Sequence, residues 1–349
     1  MNNQQNESIN LIEKDLTFSG DKTRESVYKI FNFKQLHEPF IERTWWQHGN
    51  DSKYSDNSYS FSIDGIDNKK ISKNNLEDVV QKLSNLFRID KNEVFATKLK
   101  EVCNGNGNEI RKITTVHSSS LCALLFFYNV SEDNPIKING VNYGEVLFEY
   151  KNKCIKDNAP SNIDIALVST DKKTVLFLES KFSEYLTNSR VSSEISNSYK
   201  ENELSDKIYS TDSIEKIFGE GAQKVSSGNY FKIKAKQPAY IDGIKQMISH
   251  YIGADNFAEG ERVDDRLKKI NAENVLLGTI VFDGFENNPR CEGYRKLYEN
   301  FVKEVGRIIG NSKVILLSKP LTYKELWEEN KESIDRDVAS FYGVCKGNN

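Results

Sequence analysis

The 349-residue chain is long enough for one large elaborated domain or two ordinary ones, and it can bury a substantial core. Its 48 basic and 51 acidic residues leave a net charge of −3, so any nucleic-acid surface must be a local patch and not the whole protein. The five cysteines (Cys103, Cys122, Cys154, Cys291, Cys345) are scattered with no CxxC pair, which argues against a disulfide framework and a zinc ribbon and for a reducing compartment.

The opening MNNQQNESIN has neither the basic n-region nor the apolar h-region of a secretory signal. The longest apolar run, residues 121–128, is too short to span a bilayer. A cytoplasmic protein with no membrane contact is therefore expected. Residues 1–20 are polar and read as a disordered tail. Residues 25–46 read as helical and aromatic, with Trp45, Trp46 and His48 of RTWWQHG assigned to the core. A polar loop follows, then a strand at 59–63 before the Asp64-Gly65 turn. Val79, Val80, Leu83 and Leu86 recur at helical spacing over 76–87. NGNGNE at 104–109 is a loop that lacks the GK[ST] ending of a phosphate-binding P-loop.

SSSLCALLFFYNV at 118–130 opens with capping serines and continues as an apolar helix central to the core. Residues 143–153 read as another helix. Strands follow at 163–169 and 174–181, then a polar surface insertion around 186–228. Residues 241–252 form an amphipathic helix: Ile241, Ile244, Ile248 and Tyr251 make an apolar stripe, while Asp242, Gln246 and His250 fall at i, i+4 and i+8. A strand at 274–283, a helix at 291–309, a strand at 314–318 and a helix at 331–342 complete the chain. This alternation implies an α/β fold, a mixed β-sheet flanked by helices on both faces. The division is a helical N-terminal extension, 21–114, packed on a core of 115–349.

The charges of the paired strands are oddly placed. Along 174–181, Val175, Phe177, Glu179 and Lys181 share one face, so that face turns from apolar to charged at the strand end. An antiparallel hairpin brings the start of one strand beside the end of the other, which makes Asp164 a neighbour of Glu179. Adjacent carboxylates repel unless a cation lies between them. Oxygen ligands without His or Cys favour Mg²⁺ or Mn²⁺ over zinc. Lys181 stands at the rim, where its amine could contact a phosphate oxygen or the attacking water. Together these groups suit hydrolysis of a phosphodiester. A structural ion pair between Asp164 and Lys181 is the competing reading.

Asp164, then Glu179-Ser180-Lys181, resembles the D…(D/E)xK signature of the PD-(D/E)XK nuclease superfamily, which has the restriction-endonuclease-like fold. The FE…NxD…ExK…Q…H order of residues 145–186 and 240–253 is similar to a bacterial group of restriction-endonuclease-like proteins. The sequence departs from the superfamily in having Ile163 where proline is usual and His250 where a tyrosine follows the glutamine. The resemblance implies that Glu149, Asp164 and Glu179 hold Mg²⁺ (or Mn²⁺) with the backbone carbonyl of Ser180, and that Lys181 stabilises the transition state. Glu149 would be the acid contributed by the first core helix, with Glu145 as the competing candidate. Gln246 and His250 would act on the substrate backbone. In GNYFKIKAK, Lys232, Lys234 and Lys236 could track a nucleic acid or simply guard a sheet edge. The expected activity is metal-dependent cleavage of DNA, in restriction or defence, with a homodimer as one route to double-strand cutting. The alternative is a catalytically inactive nucleic-acid- or protein-binding module that keeps the nuclease fold.

Overall fold

The computed structural model describes residues 41–47, 54–61, 71–105, 109–111, 113–115, 118–155, 160–182, 195–235, 241–282, 289–310 and 312–345. Two N-terminal strands, β1 (Ile41–Gln47) and β2 (Tyr54–Phe61), pair antiparallel with a register shift between Trp45 and Trp46. This corrects the helical reading at 41–46. Residues 25–40 and His48 lie outside the described residues. Helix α1 (Leu76–Phe87) buries Leu76, Val79, Leu83 and Phe87, and Arg88 ends it with a left-handed φ of 52°. Helix α2 (Asn92–Cys103) was not expected from the sequence, although Phe95, Leu99 and Val102 recur at i, i+4 and i+7 and are buried.

Helix α3 (Ser119–Phe127) has the expected cap: the Ser118 hydroxyl accepts from the Leu121 N–H at 3.1 Å. It is buried on all sides, so Leu121, Leu124, Leu125 and Phe127 each contribute roughly 2 kcal/mol of burial. Strands β3 (Ile136–Ile138), β4 (Val141–Asn152), β5 (Ser161–Ser169) and β6 (Thr174–Lys181) then run as an antiparallel meander. The helix expected at 143–153 is thus a strand. Its burial on both faces hides the period of two that would have identified it.

The insertion holds β7 (Ile195–Ser196), α4 (Glu203–Ile208), α5 (Thr211–Phe218), β8 (Gln223–Ser227) and β9 (Tyr230–Lys234), with the strands ordered β7-β9-β8. Helix α6 (Ile241–Ala258) leads to β10 (Asn274–Val281), which pairs parallel with β6. After α7 (Pro289–Ile309), short strands β11 (Val314–Leu316) and β12 (Leu321–Thr322) add to β10, and α8 (Tyr323–Glu329) and α9 (Arg336–Phe341) follow. The helix expected at 331–342 is therefore confined to α9. The unforeseen α8 starts at a Thr322–Glu325 capping box that the sequence does carry.

The result is a mixed seven-stranded sheet, ordered β11-β10-β6-β5-β4-β3 with β12 also on β10, between two helical layers. Phe177 meets Phe257 of α6 with ring centroids 5.2 Å apart. On the opposite face the Ser180 hydroxyl contacts Ser119 O at 3.3 Å and Tyr323 Oη at 2.7 Å, at α3 and α8. The two faces of β6 therefore alternate as its sequence requires. Among the described residues no helix is long and apolar enough to cross a membrane.

Candidate functional site

The strand pairing of β5 with β6 ends at Ile165↔Leu178, and one further step would set Asp164 abreast of Glu179. At that point the Asp164 carboxylate, instead of a strand carbonyl, accepts the Ser180 N–H at 2.7 Å. Between β4 and β5, the pairs Phe148↔Ile165 and Tyr150↔Ile163 bracket Glu149 and Asp164. The result is a row of Glu149, Asp164 and Glu179 across three adjacent strands, continued by Thr279, which is paired with Glu179 on β10. Glu149 is delivered by a strand and not by a helix, and its backbone is left-handed, with φ 49°. Glu145 pairs with Lys172 at 3.4 Å, next to the β5–β6 turn, so the two candidate acids occupy different ends of β4.

Glu179 is buried and both of its oxygens are engaged. Oε1 accepts from Lys181 Nζ at 2.7 Å, and Oε2 meets His250 Nε2 at 2.8 Å. Burial pushes its carboxyl pKa up, but Lys181 and then His250 outweigh that and hold it at about 2. An ionised carboxylate can only accept, so His250 Nε2 is the donor, and Nδ1 is left to face Ser161 Oγ at 2.6 Å. Asp164 is half-buried and behaves oppositely. Burial, then the charges of Glu179 and Glu149, push its pKa well up, with Lys181 and the Ser180 N–H pulling the other way. Glu149 Oε2 accepts from Asn162 Nδ2 at 3.1 Å. Behind it lies Gly105, where even a methyl group would come within 2.2 Å of that oxygen.

Lys181 is buried, not an exposed rim residue as its position suggests. It also donates to Gln246 Oε1 at 2.6 Å. Gln246 and His250 thus both face the charged end of β6 from α6. Gln246 is exposed and acts on Lys181. His250, read from the sequence as a phosphate contact, is turned inward with both ring nitrogens engaged, and its place is behind Glu179. Lys232 and Lys234 lie on β9, in the separate three-stranded sheet, on the face opposite buried Phe231 and Ile233. Lys236 lies outside the described residues.

Sequence reasoning passed over Ser161, which holds His250, and Arg266, which donates to the carbonyls of Phe148 (2.9 Å) and Glu149 (3.1 Å). Neither carries a motif signal, because a serine opening a strand or an arginine in a short 3-10 turn is ordinary. Among the described residues, no three His, Cys, Asp or Glu side chains converge into a ready cation cage. The chain matches no family model, no curated protein and no solved structure among those compared.

Proposed function

We propose that this chain is a metal-dependent endonuclease of the PD-(D/E)XK type, with a restriction-endonuclease-like core, that hydrolyses DNA phosphodiester bonds. The observation that carries the reading is the acid row at the parting of β5 and β6, with Lys181 bound to the last acid of the row. An isolated ion pair would account for Lys181 and Glu179. It would not account for two further acid side chains, Asp164 and Glu149, set beside them at an energetic cost to Asp164.

The donor chemistry fits a hard divalent cation, Mg²⁺ or Mn²⁺. Asp164 and Glu179 would hold it, with Glu149 and the Ser180 carbonyl as further ligands. Although both Glu179 oxygens are engaged, a carboxylate has about four lone-pair sites, so coordination capacity remains. When bound, the cation would supply an acidified water and charge neutralisation at the phosphate. Lys181 offsets charge on the scissile phosphate, and Gln246 sets the direction of its amine. His250, steadied by Ser161, orients Glu179. The lysines of β9 offer a second, backbone-directed contact to the nucleic acid. A second copy of the chain would be needed for concerted cutting of both strands, and restriction or defence is the natural setting of such an activity.

The test is incubation of purified protein with supercoiled plasmid and with single-stranded DNA in Mg²⁺, Mn²⁺ or EDTA, beside Glu179→Gln. Nicking that requires the cation and disappears in the variant is expected. Retained cutting in EDTA or in Glu179→Gln would refute the reading, and binding without cutting would favour the non-catalytic module.

A further inference from the structure

Strand β4 pairs with β3 only over Tyr143, Asn142 and Val141, so the rest of that edge has no strand partner among the described residues. Beyond one isolated bridge of Asn152 with Arg262, charged side chains hold several of its backbone groups. Lys98 Nζ donates to Val146 O at 2.7 Å, and Glu101 Oε2 accepts the Phe148 N–H at 3.1 Å. Arg266 Nη1 donates to Phe148 O at 2.9 Å, and its Nη2 donates to Glu149 O at 3.1 Å. Asp264 Oδ2 accepts the Lys151 N–H at 3.2 Å and grips Arg266 Nη2 at 2.7 Å. The guanidinium also approaches Glu101 at 3.5 Å, so one cation ties the two acids together. At the centre of this bracket stands the left-handed Glu149.

A glutamate gains nothing from a left-handed backbone and meets its own Cβ there, so the conformation persists only where surroundings enforce it. A strand edge that needed only protection from aggregation could be covered by one lysine or a proline. Here two carbonyls on either side of the strained residue are held by a single planar fork, which a lysine cannot copy.

We propose that Arg266, braced by Glu101 and Asp264, is a positioning residue that fixes the left-handed backbone at Glu149 and so aims the Glu149 carboxylate into the acid row beside Asp164. Its bearing on cation binding rests on the nuclease reading above. The backbone part does not.

Two measurements separate these parts. The first is thermal melting of Glu149→Gly and Glu149→Ala, each made in wild-type and in Arg266→Ala backgrounds. Both substitutions remove the carboxylate, so their difference reports backbone conformation alone. In an ordinary strand alanine is the more stable, whereas at a positive φ glycine is. Glycine should melt above alanine by about 2 °C with Arg266 present. The gap should close or invert without it. Alanine melting higher in the wild-type background, or a gap indifferent to Arg266, would overturn the proposal.

The second is Mn²⁺ binding by calorimetry on the full chain, which needs no cleavage. Arg266→Lys should weaken binding about tenfold with the fold intact by circular dichroism, and should add nothing further in a Glu149→Ala background. Parental affinity in Arg266→Lys, or losses that multiply, would show that Arg266 does not act through Glu149. If the wild type binds no Mn²⁺, the metal reading fails, and the melting order alone decides the role of the bracket.

Discussion

Lys181→Ala is the most revealing substitution, because position alone suggests that it would leave folding untouched. In the structure its side chain is 9% exposed and that of Glu179 is 4% exposed, with 2.7 Å between their charged atoms. Removing one partner of such a pair leaves a buried charge, which typically costs about 3–5 kcal/mol. His250 would still donate to Glu179, so the lower end, about 3 kcal/mol, is expected at pH 7. That is a large share of an ordinary domain's stability, and it corresponds to a fall of about 1 M in the urea midpoint for a chain of this size. The loss should shrink at pH 5. Without Lys181 the carboxyl of Glu179 no longer has its strongest lowering influence, burial drives its pKa upward, and a protonated group needs no counter-charge. Urea unfolding followed by circular dichroism at both pH values checks this. Cleavage assays on the variant must be run well below its midpoint, since a loss of hundreds-fold is expected from chemistry alone. A midpoint within about 0.2 M of the parent at pH 7 would refute the buried-pair reasoning.

Mn²⁺ should bind more tightly as pH rises and should expel a proton from Asp164, whose pKa lies well above the usual carboxylate range; calorimetry in buffers of different ionisation enthalpy counts that proton. The acid limb of stability should show the reverse behaviour of Glu179, whose contribution is complete above about pH 4.5 and lost as pH falls toward about 2, as acid titration of the fold would reveal. Gly105→Ala should lower melting and weaken Mn²⁺ binding, because an added methyl group would meet the Cγ of Glu149 at 2.7 Å and its Cδ at 2.6 Å as well as the carboxylate, and so displace the whole side chain. Replacing both Lys232 and Lys234 with glutamate should lower the salt dependence of DNA binding by about one unit of slope per lost phosphate contact, measured by anisotropy from 50 to 200 mM salt.

What could be read from the sequence was what local chemistry decides. Ser118 before an apolar run marked α3, and the alternation of Val175, Phe177, Glu179 and Lys181 marked β6 and the face its charges share. What failed was whatever depends on distant chain. Strand β4 looked helical because tertiary cover on both sides removed its polar face, and no local feature announces that cover. Lys181 looked exposed because a strand end is commonly solvated, and only the fold reveals that α6 closes over it. His250 looked like a contact to the substrate backbone. It is instead buried, since Ser161 and Glu179 satisfy both ring nitrogens and remove the cost of taking a polar ring out of water.

These failures have a common physical root that bears on the site. A row of carboxylates is unstable by itself, and the chain counters it with different devices at each position. Glu179 is met by cation and imidazole. Asp164 is met by the charge of Lys181 and the Ser180 N–H, which burial and its acid neighbours outweigh, and is left with a raised pKa. Glu149 is set into a backbone conformation that its residue type disfavours and is held there by Arg266, 117 residues further along the chain, which Asp264 braces. Apart from Lys181, two residues from Glu179, these partners are remote in sequence, which is why motif spacing finds the acids and their lysine but not the other supports. Stability alone would favour replacing such a row with apolar residues, as it does many buried ionic groups. Strain and unbalanced charge gathered where β4, β5 and β6 run side by side is what the cation site proposed above would require.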